Sequence, residues 1–179
     1  MKITVTKLDV ARGQLETAIE LFFKEGDSIS IHTLSRAAHE ILETIGKKQG
    51  FNSILEEGYE KFIPKEKQKE VRNKLSEVKN FSKHGSFDSD KSIEFQPELN
   101  TYYLWDSARL YLLLTKNLTK NMAIFQTWFS VKNPDVLTPE QQQSVNRETL
   151  SEITDLENKK QFYHDLSEGY DELRRRGLL

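Results

Sequence analysis

The sequence predicts an all-α bundle folded as one domain, and three observations carry that expectation. Apolar residues recur every three or four positions over most of the 179 residues. Strand-like alternation is confined to the four residues Ile3–Thr6, too few to seed a sheet. Glycine, proline and polar clusters cut the helical pattern into six to seven pieces of helix length. A chain of this size buries roughly 70% of the surface its unfolded form exposes, enough for one core with neither metal nor disulfide.

The elements follow in order. Leu8, Leu15, Ile19, Leu21 and Phe22 mark a first helix that stops at Gly26. A second begins with Asp27 or Ser28 as N-cap, places Leu34, Ala38, Ile41, Leu42 and Ile45 on one side, and ends between Gly46 and Gly50. The stretch NSILEEGYEKFI forms a short third helix, and Pro64 suits the first turn of a fourth that runs to His84. Residues 85–96 gather glycine, serine and aspartate and read as a surface loop. Residues 97–117 are apolar and aromatic nearly all round, which places this helix at the centre of the bundle. Apolar material continues to Pro134, and a long C-terminal helix follows with the stripe Leu150, Ile153, Leu156, Tyr163, Leu166, Tyr170 and Leu173. Neither an internal repeat nor a domain boundary interrupts residues 1–179.

Composition limits the function classes. Cysteine is absent, which removes disulfides, thiolate metal sites and cysteine nucleophiles and makes a cytoplasmic protein the expectation. The first residues mix charge with apolar side chains, so neither a signal peptide nor a membrane span is expected. Net charge is −2 with 30% charged residues, so a nucleic-acid site would have to be a local patch. No glycine-rich phosphate loop, nucleophile elbow or cofactor fingerprint occurs, and no cofactor is expected.

Two polar stripes carry what chemistry the sequence offers. Asn73, Glu77, Asn80 and His84 share one face of the fourth helix, and His32, Arg36, His39 and Glu43 share one face of the second with the same 4, 3, 4 spacing. If the stripes meet, within a chain or across a dimer, they assemble three histidines, an arginine and two glutamates capable of acid–base work near neutral pH. The plainer expectation is that both are solvated helix faces.

At KNFSKH the chain resembles the HEPN superfamily, all-helical domains marked by an arginine, usually followed by a polar residue, and a histidine several residues on, late in a helix. The matching positions are Lys79, Asn80 and His84. The resemblance implies a homodimer whose two motifs meet at a cleft and, in active members, metal-independent RNA cleavage. His84 would then act as general acid or base at the ribose 2′-OH and the leaving oxygen, the cation at 79 would stabilise phosphate, and Asn80 would orient groups. Other members bind nucleotides or act as partners of another protein. The departure is Lys79, since lysine offers a point charge in place of a bidentate guanidinium.

Lys65, Arg72, Lys79 and Lys83 lie within a narrow arc of the fourth helix and form a basic face for a phosphate backbone, with Glu66, Glu70 and Glu77 close enough to offset them. His84 with Asp88 and Asp90 lacks calcium-loop spacing, and no metal site is expected. His164 reads as structural. Asp106 and Arg109, three apart in an apolar helix, predict a satisfied internal ion pair, and Tyr102, Tyr103 and Trp105 predict core before pocket. The functional expectation is thus nucleic-acid or nucleotide handling centred on His84, with RNA cleavage as its active form. A non-enzymatic helical module binding a protein or small molecule is the alternative.

Overall fold

The computed structural model describes residues 2–82, 90, 92–136 and 155–177. Seven α-helices lie there: α1 Lys7–Phe23, α2 Ser28–Lys48, α3 Ile54–Phe62, α4 Lys65–Phe81, α5 Leu99–Thr115, α6 Lys120–Lys132 and α7 Lys159–Arg175. A 3₁₀ turn at Pro134–Val136 follows α6, and no strand occurs among the described residues.

Local chemistry sets the helix starts. Thr6 and Asp9 form a capping box at α1, the Thr6 hydroxyl accepting from Asp9 N at 3.1 Å and the Asp9 carboxylate accepting from Thr6 N at 3.0 Å. Asp27 caps α2 by accepting from Ser30 N at 2.7 Å. Ser53 Oγ accepts from Glu56 N at 3.1 Å at α3, and Pro64 stands at the N-cap of α4. Between α1 and α2 the reversal is made at Glu25, whose φ of 54° lets Gly26 N reach the Leu21 carbonyl at 2.8 Å.

Helices α1, α2, α5 and α6 close a four-membered ring around the core, each packed on its neighbours in that order and α6 back on α1. Short links make α1–α2 and α5–α6 hairpins. The ring is filled by Leu15, Ile19, Phe22, Phe23, Leu42, Leu104, Trp105, Leu110, Met122, Phe125 and Phe129, all buried. Each such side chain contributes about 1.5–3 kcal/mol of burial. Phe22 meets Phe125 edge-on at 5.2 Å, and Trp105 stacks on Phe129 at 5.0 Å. α7 covers α1 and α6, while α3 and α4 lie outside α5 and α2.

The central position of α5 holds as expected: Tyr103, Leu104, Trp105, Ala108, Leu110 and Tyr111 are buried, with Tyr102 half-buried on Phe129. Other expectations change. α4 ends at Phe81 and not at His84. Leu150 and Ile153 fall outside the described residues, and α7 begins only at Lys159, behind the N-cap Asn158. Its core anchor is Phe162, fully buried, whereas Leu173 is exposed. His164 faces solvent and pairs with Glu168 at 3.5 Å, so it is a surface residue and supports nothing internal.

The main correction concerns α2. Its buried residues are Ile31, His32, Ser35, Ala38, His39, Leu42 and Gly46, while Leu34, Ile41 and Ile45 are only half-buried. At 100° per residue the inward face is turned by about 80° from the one that apolar spacing picks out. The reason is that α2 packs on both α1 and α5, and the side turned to α5 is polar because α5 supplies polar partners.

Candidate functional site: an interior polar seam and the end of α4

The α2–α5 contact is held by a seam of matched polar groups. His32 Nδ1 donates to Asn100 Oδ1 at 2.9 Å, and Asn100 Nδ2 donates to the Ser28 carbonyl at 2.9 Å, which fixes the amide's orientation. Seven residues further along α2, His39 Nε2 donates to Asp106 Oδ2 at 3.0 Å. Because six residues separate Asn100 from Asp106 in the same sense, α2 and α5 run parallel and in register.

Asp106 is the hub. Its Oδ2 accepts from Ser53 Oγ at 2.6 Å, and its Oδ1 accepts from Arg109 Nε at 2.9 Å and from Ile54 N at 3.4 Å. Arg109 continues to the Asn52 carbonyl at 2.6 Å. The expected Asp106–Arg109 pair is therefore present, and it also ties the start of α3 to α5. Burial pushes the Asp106 carboxyl up, but hydrogen bonds from His39 and Ser53 and attraction from His39 and Arg109 outweigh it and hold it at about 2.

Serine, histidine and aspartate side by side invite comparison with a hydrolytic triad, and the geometry rejects it. A relay needs the imidazole between carboxylate and hydroxyl, one nitrogen to each. Here Nε2 faces both Asp106 and Ser53, the latter at 3.2 Å, while the Ser53 hydroxyl donates to the carboxylate. All three residues are at most 1% exposed, so no substrate reaches them. The seam is a clasp.

The solvated-face expectation thus fails for His32 and His39, each 1% exposed, and holds for Asn73, Glu77 and Asn80, which are exposed. Among the described residues the two stripes do not meet within the chain. Arg36 lies half-buried with its guanidinium 4.2 Å from the Tyr103 ring centroid, and Glu43 pairs with Lys47 on the surface. Ser53 and Asn100 were not marked by sequence reasoning. Spacing offered one signal, since Asn100, Tyr103 and Asp106 repeat at intervals of three on one face of α5.

The motif's described part occupies the last turn of α4. Lys79 Nζ donates to Glu40 Oε2 at 2.9 Å, joining α4 to α2, and Asn80 projects into solvent. Lys83 and His84 lie outside the described residues, as do Asp88 and the Arg72 side chain. Beside this turn is an open groove of about 790 Å³ lined chiefly by Ile29, Thr33, Leu34, Phe81, Ile93 and Phe95, with hydroxyls from Ser30, Ser82 and Ser92. Its volume suits a small molecule or a nucleotide. Among the described residues no three His, Asp or Glu side chains converge on a metal position, and no helix is long and apolar enough to cross a membrane.

No family model, curated protein or solved structure matches the chain.

Proposed function

We propose that this chain is a HEPN-like RNA-handling module that takes single-stranded RNA at the C-terminal end of α4, with His84 as the group that performs metal-independent cleavage. One observation carries the reading: the turn bearing Lys79 and Asn80 adjoins an apolar groove with Phe81 and Phe95 in its walls. Single-stranded RNA is held by stacking of unpaired bases on aromatic rings and by cations along its phosphates, and both elements stand together here. In the cleavage step the ribose 2′-oxygen attacks the adjacent phosphorus, and the P–O5′ bond breaks. His84 takes or returns the proton, leaving a 2′,3′-cyclic phosphate and a 5′-hydroxyl.

A second reading, a binding module without chemistry, is favoured by the Lys79–Glu40 pair, because a lysine neutralised by a carboxylate has less charge to lend a phosphate. The two are separated by incubating the purified protein and His84→Ala with single-stranded RNA in EDTA. Cyclic-phosphate products from the wild type alone support cleavage. RNA binding without products in either protein leaves the binding module, and no binding at all removes RNA from both.

A further inference from the structure

Resting on the RNA reading above, we infer that Arg36 is the phosphate-binding residue of the site, supplying from α2 the guanidinium that Lys79 does not supply from α4. The placement comes from helix geometry. Ile29, Thr33, Arg36 and Glu40 fall on one column of α2, at i, i+4, i+7 and i+11. Ile29 and Thr33 line the groove, and Glu40 holds Lys79. Arg36 therefore stands between the groove and the Lys79–Glu40 pair.

Its side chain is prepared and unused. The guanidinium lies on the Tyr103 ring, 4.2 Å from the centroid, which fixes its plane. Among the described residues no carboxylate pairs with it and no hydrogen bond is made to it, and its Nε is buried without a partner. Arg109, the half-buried arginine on α5, shows the contrast: its donors are taken up by Asp106 and the Asn52 carbonyl. Leaving the buried Nε donor of a half-buried guanidinium unpaired costs stability and calls for a reason. A phosphate oxygen supplies one, since a planar guanidinium offers two parallel donors to it.

The neighbouring turn repeats the pattern. His32 Nε2 is buried without a partner, and because Nδ1 donates to Asn100 this nitrogen carries a lone pair in the neutral ring. Phe95, a wall of the groove, lies edge-on to that ring at 5.2 Å. The corner of the interior behind the groove thus holds two polar atoms that the described residues leave unsatisfied. Glu56 is near enough to act on Tyr103, but it makes no ion pair with Arg36.

The test uses the full chain with Arg36→Gln and Arg36→Lys, folding checked by circular dichroism, and two probes: hexauridylate and inorganic phosphate. Arg36→Gln is expected to bind hexauridylate about ten- to a hundredfold more weakly, as for loss of one charge-assisted contact, with Arg36→Lys in between. Phosphate at constant ionic strength is expected to raise the wild-type melting temperature and leave Arg36→Gln unchanged. Unaltered hexauridylate affinity in both variants overturns the role of Arg36 while the RNA reading stands. Phosphate stabilisation that depends on Arg36, with no hexauridylate binding in any protein, removes the RNA reading and keeps the phosphate site. Absence of both responses removes both. If Arg36→Gln does not fold, Arg36→Lys decides: it keeps the charge and loses the bidentate fork, so wild-type affinity in that variant also overturns the inference.

Discussion

His39 and Asp106 meet in the interior, Nε2 to Oδ2 at 3.0 Å, with 1% and 0% of their side chains exposed. The pair joins α2 to α5, and through Ser53 and Arg109 the same carboxylate also holds the start of α3. Removing Asp106 leaves Arg109 without its counter-charge and the buried His39 and Ser53 without their acceptor, which is costlier than never having built the group.

Asp106→Ala is therefore expected to cost about 3–5 kcal/mol at pH 7, read from urea unfolding. Asp106 also sets an acid limit. Its folded-state pKa of about 2 lies below the unfolded value of 3.8, so its stabilisation is complete above pH 4 and is lost as pH falls through the folded value. The expected loss between pH 4 and pH 2 is about 2 kcal/mol. Asp106→Asn is expected to be less stable than wild type at pH 7 and to lack that part of the acid slope. A variant whose stability falls as steeply as the wild type's would assign the slope to other carboxylates.

His32 is expected to act at higher pH. Burial lowers its pKa, partly countered by the hydrogen bond to Asn100 and reinforced by Arg36. The unfolded chain binds the proton more readily, so this contribution is full above an unfolded pKa of about 6.5 and declines as pH drops below it. His32→Gln, which keeps a polar group towards Asn100, is expected to flatten the decline in stability between pH 7 and pH 5. Melting temperatures of both proteins across that window check it. An unchanged slope would mean that His32 binds its proton equally readily in the folded and unfolded chains.

How much of this was legible in the sequence follows from which interactions are local. Caps and stops at Asp27, Pro64 and Gly26 act within a few residues, so the helices could be placed from the chain alone. The centre of the bundle was legible because α5 is apolar nearly all round. The facing of α2 was not. Periodicity assigned His32 and His39 to the outside because histidine ranks as polar, and only partners 67 and 68 residues away make their burial tolerable. Phe162 was missed for a related reason: α7 is polar on most sides, and although Leu156, Tyr163 and Leu166 of the stripe read there do pack half-buried against the core, the one fully buried ring was not among them. Lys79 was marked as a candidate phosphate contact, but its pairing with Glu40 spans 39 residues and no local pattern announces it.

Two glycines are expected to respond oppositely to alanine. At Gly46 a Cβ would come within 2.9 Å of the Phe51 carbonyl and 3.4 Å of Leu110, because the chain folds back over the end of α2 and Phe51 N bonds to the Gly46 carbonyl. Backbone cannot yield as a side-chain end can, so Gly46→Ala is expected to destabilise by about 1–3 kcal/mol. Gly13, on the exposed face of α1, has nothing within 4 Å of its Cβ position, and Gly13→Ala is expected to stabilise by about 0.5–1 kcal/mol. Thermal melts of the two variants against wild type test both signs at once.

Glu40 gives the sharpest functional contrast. Its carboxylate holds Lys79 at 2.9 Å, and the lysine is the less exposed partner, with 19% of its side chain accessible against 59% for Glu40. The pair itself is worth little, about 0–1 kcal/mol, so Glu40→Gln is expected to leave stability nearly unchanged. In the RNA reading the same carboxylate repels phosphate and occupies a cation of the site. Glu40→Gln is then expected to tighten hexauridylate binding several-fold and Lys79→Gln to weaken it, with both effects shrinking as salt rises. In a module that binds an uncharged apolar ligand through the groove, neither variant changes hexauridylate affinity. Fluorescence titrations of the three proteins at low and high salt therefore distinguish a carboxylate that restrains an RNA site from one that merely fastens α4 to α2.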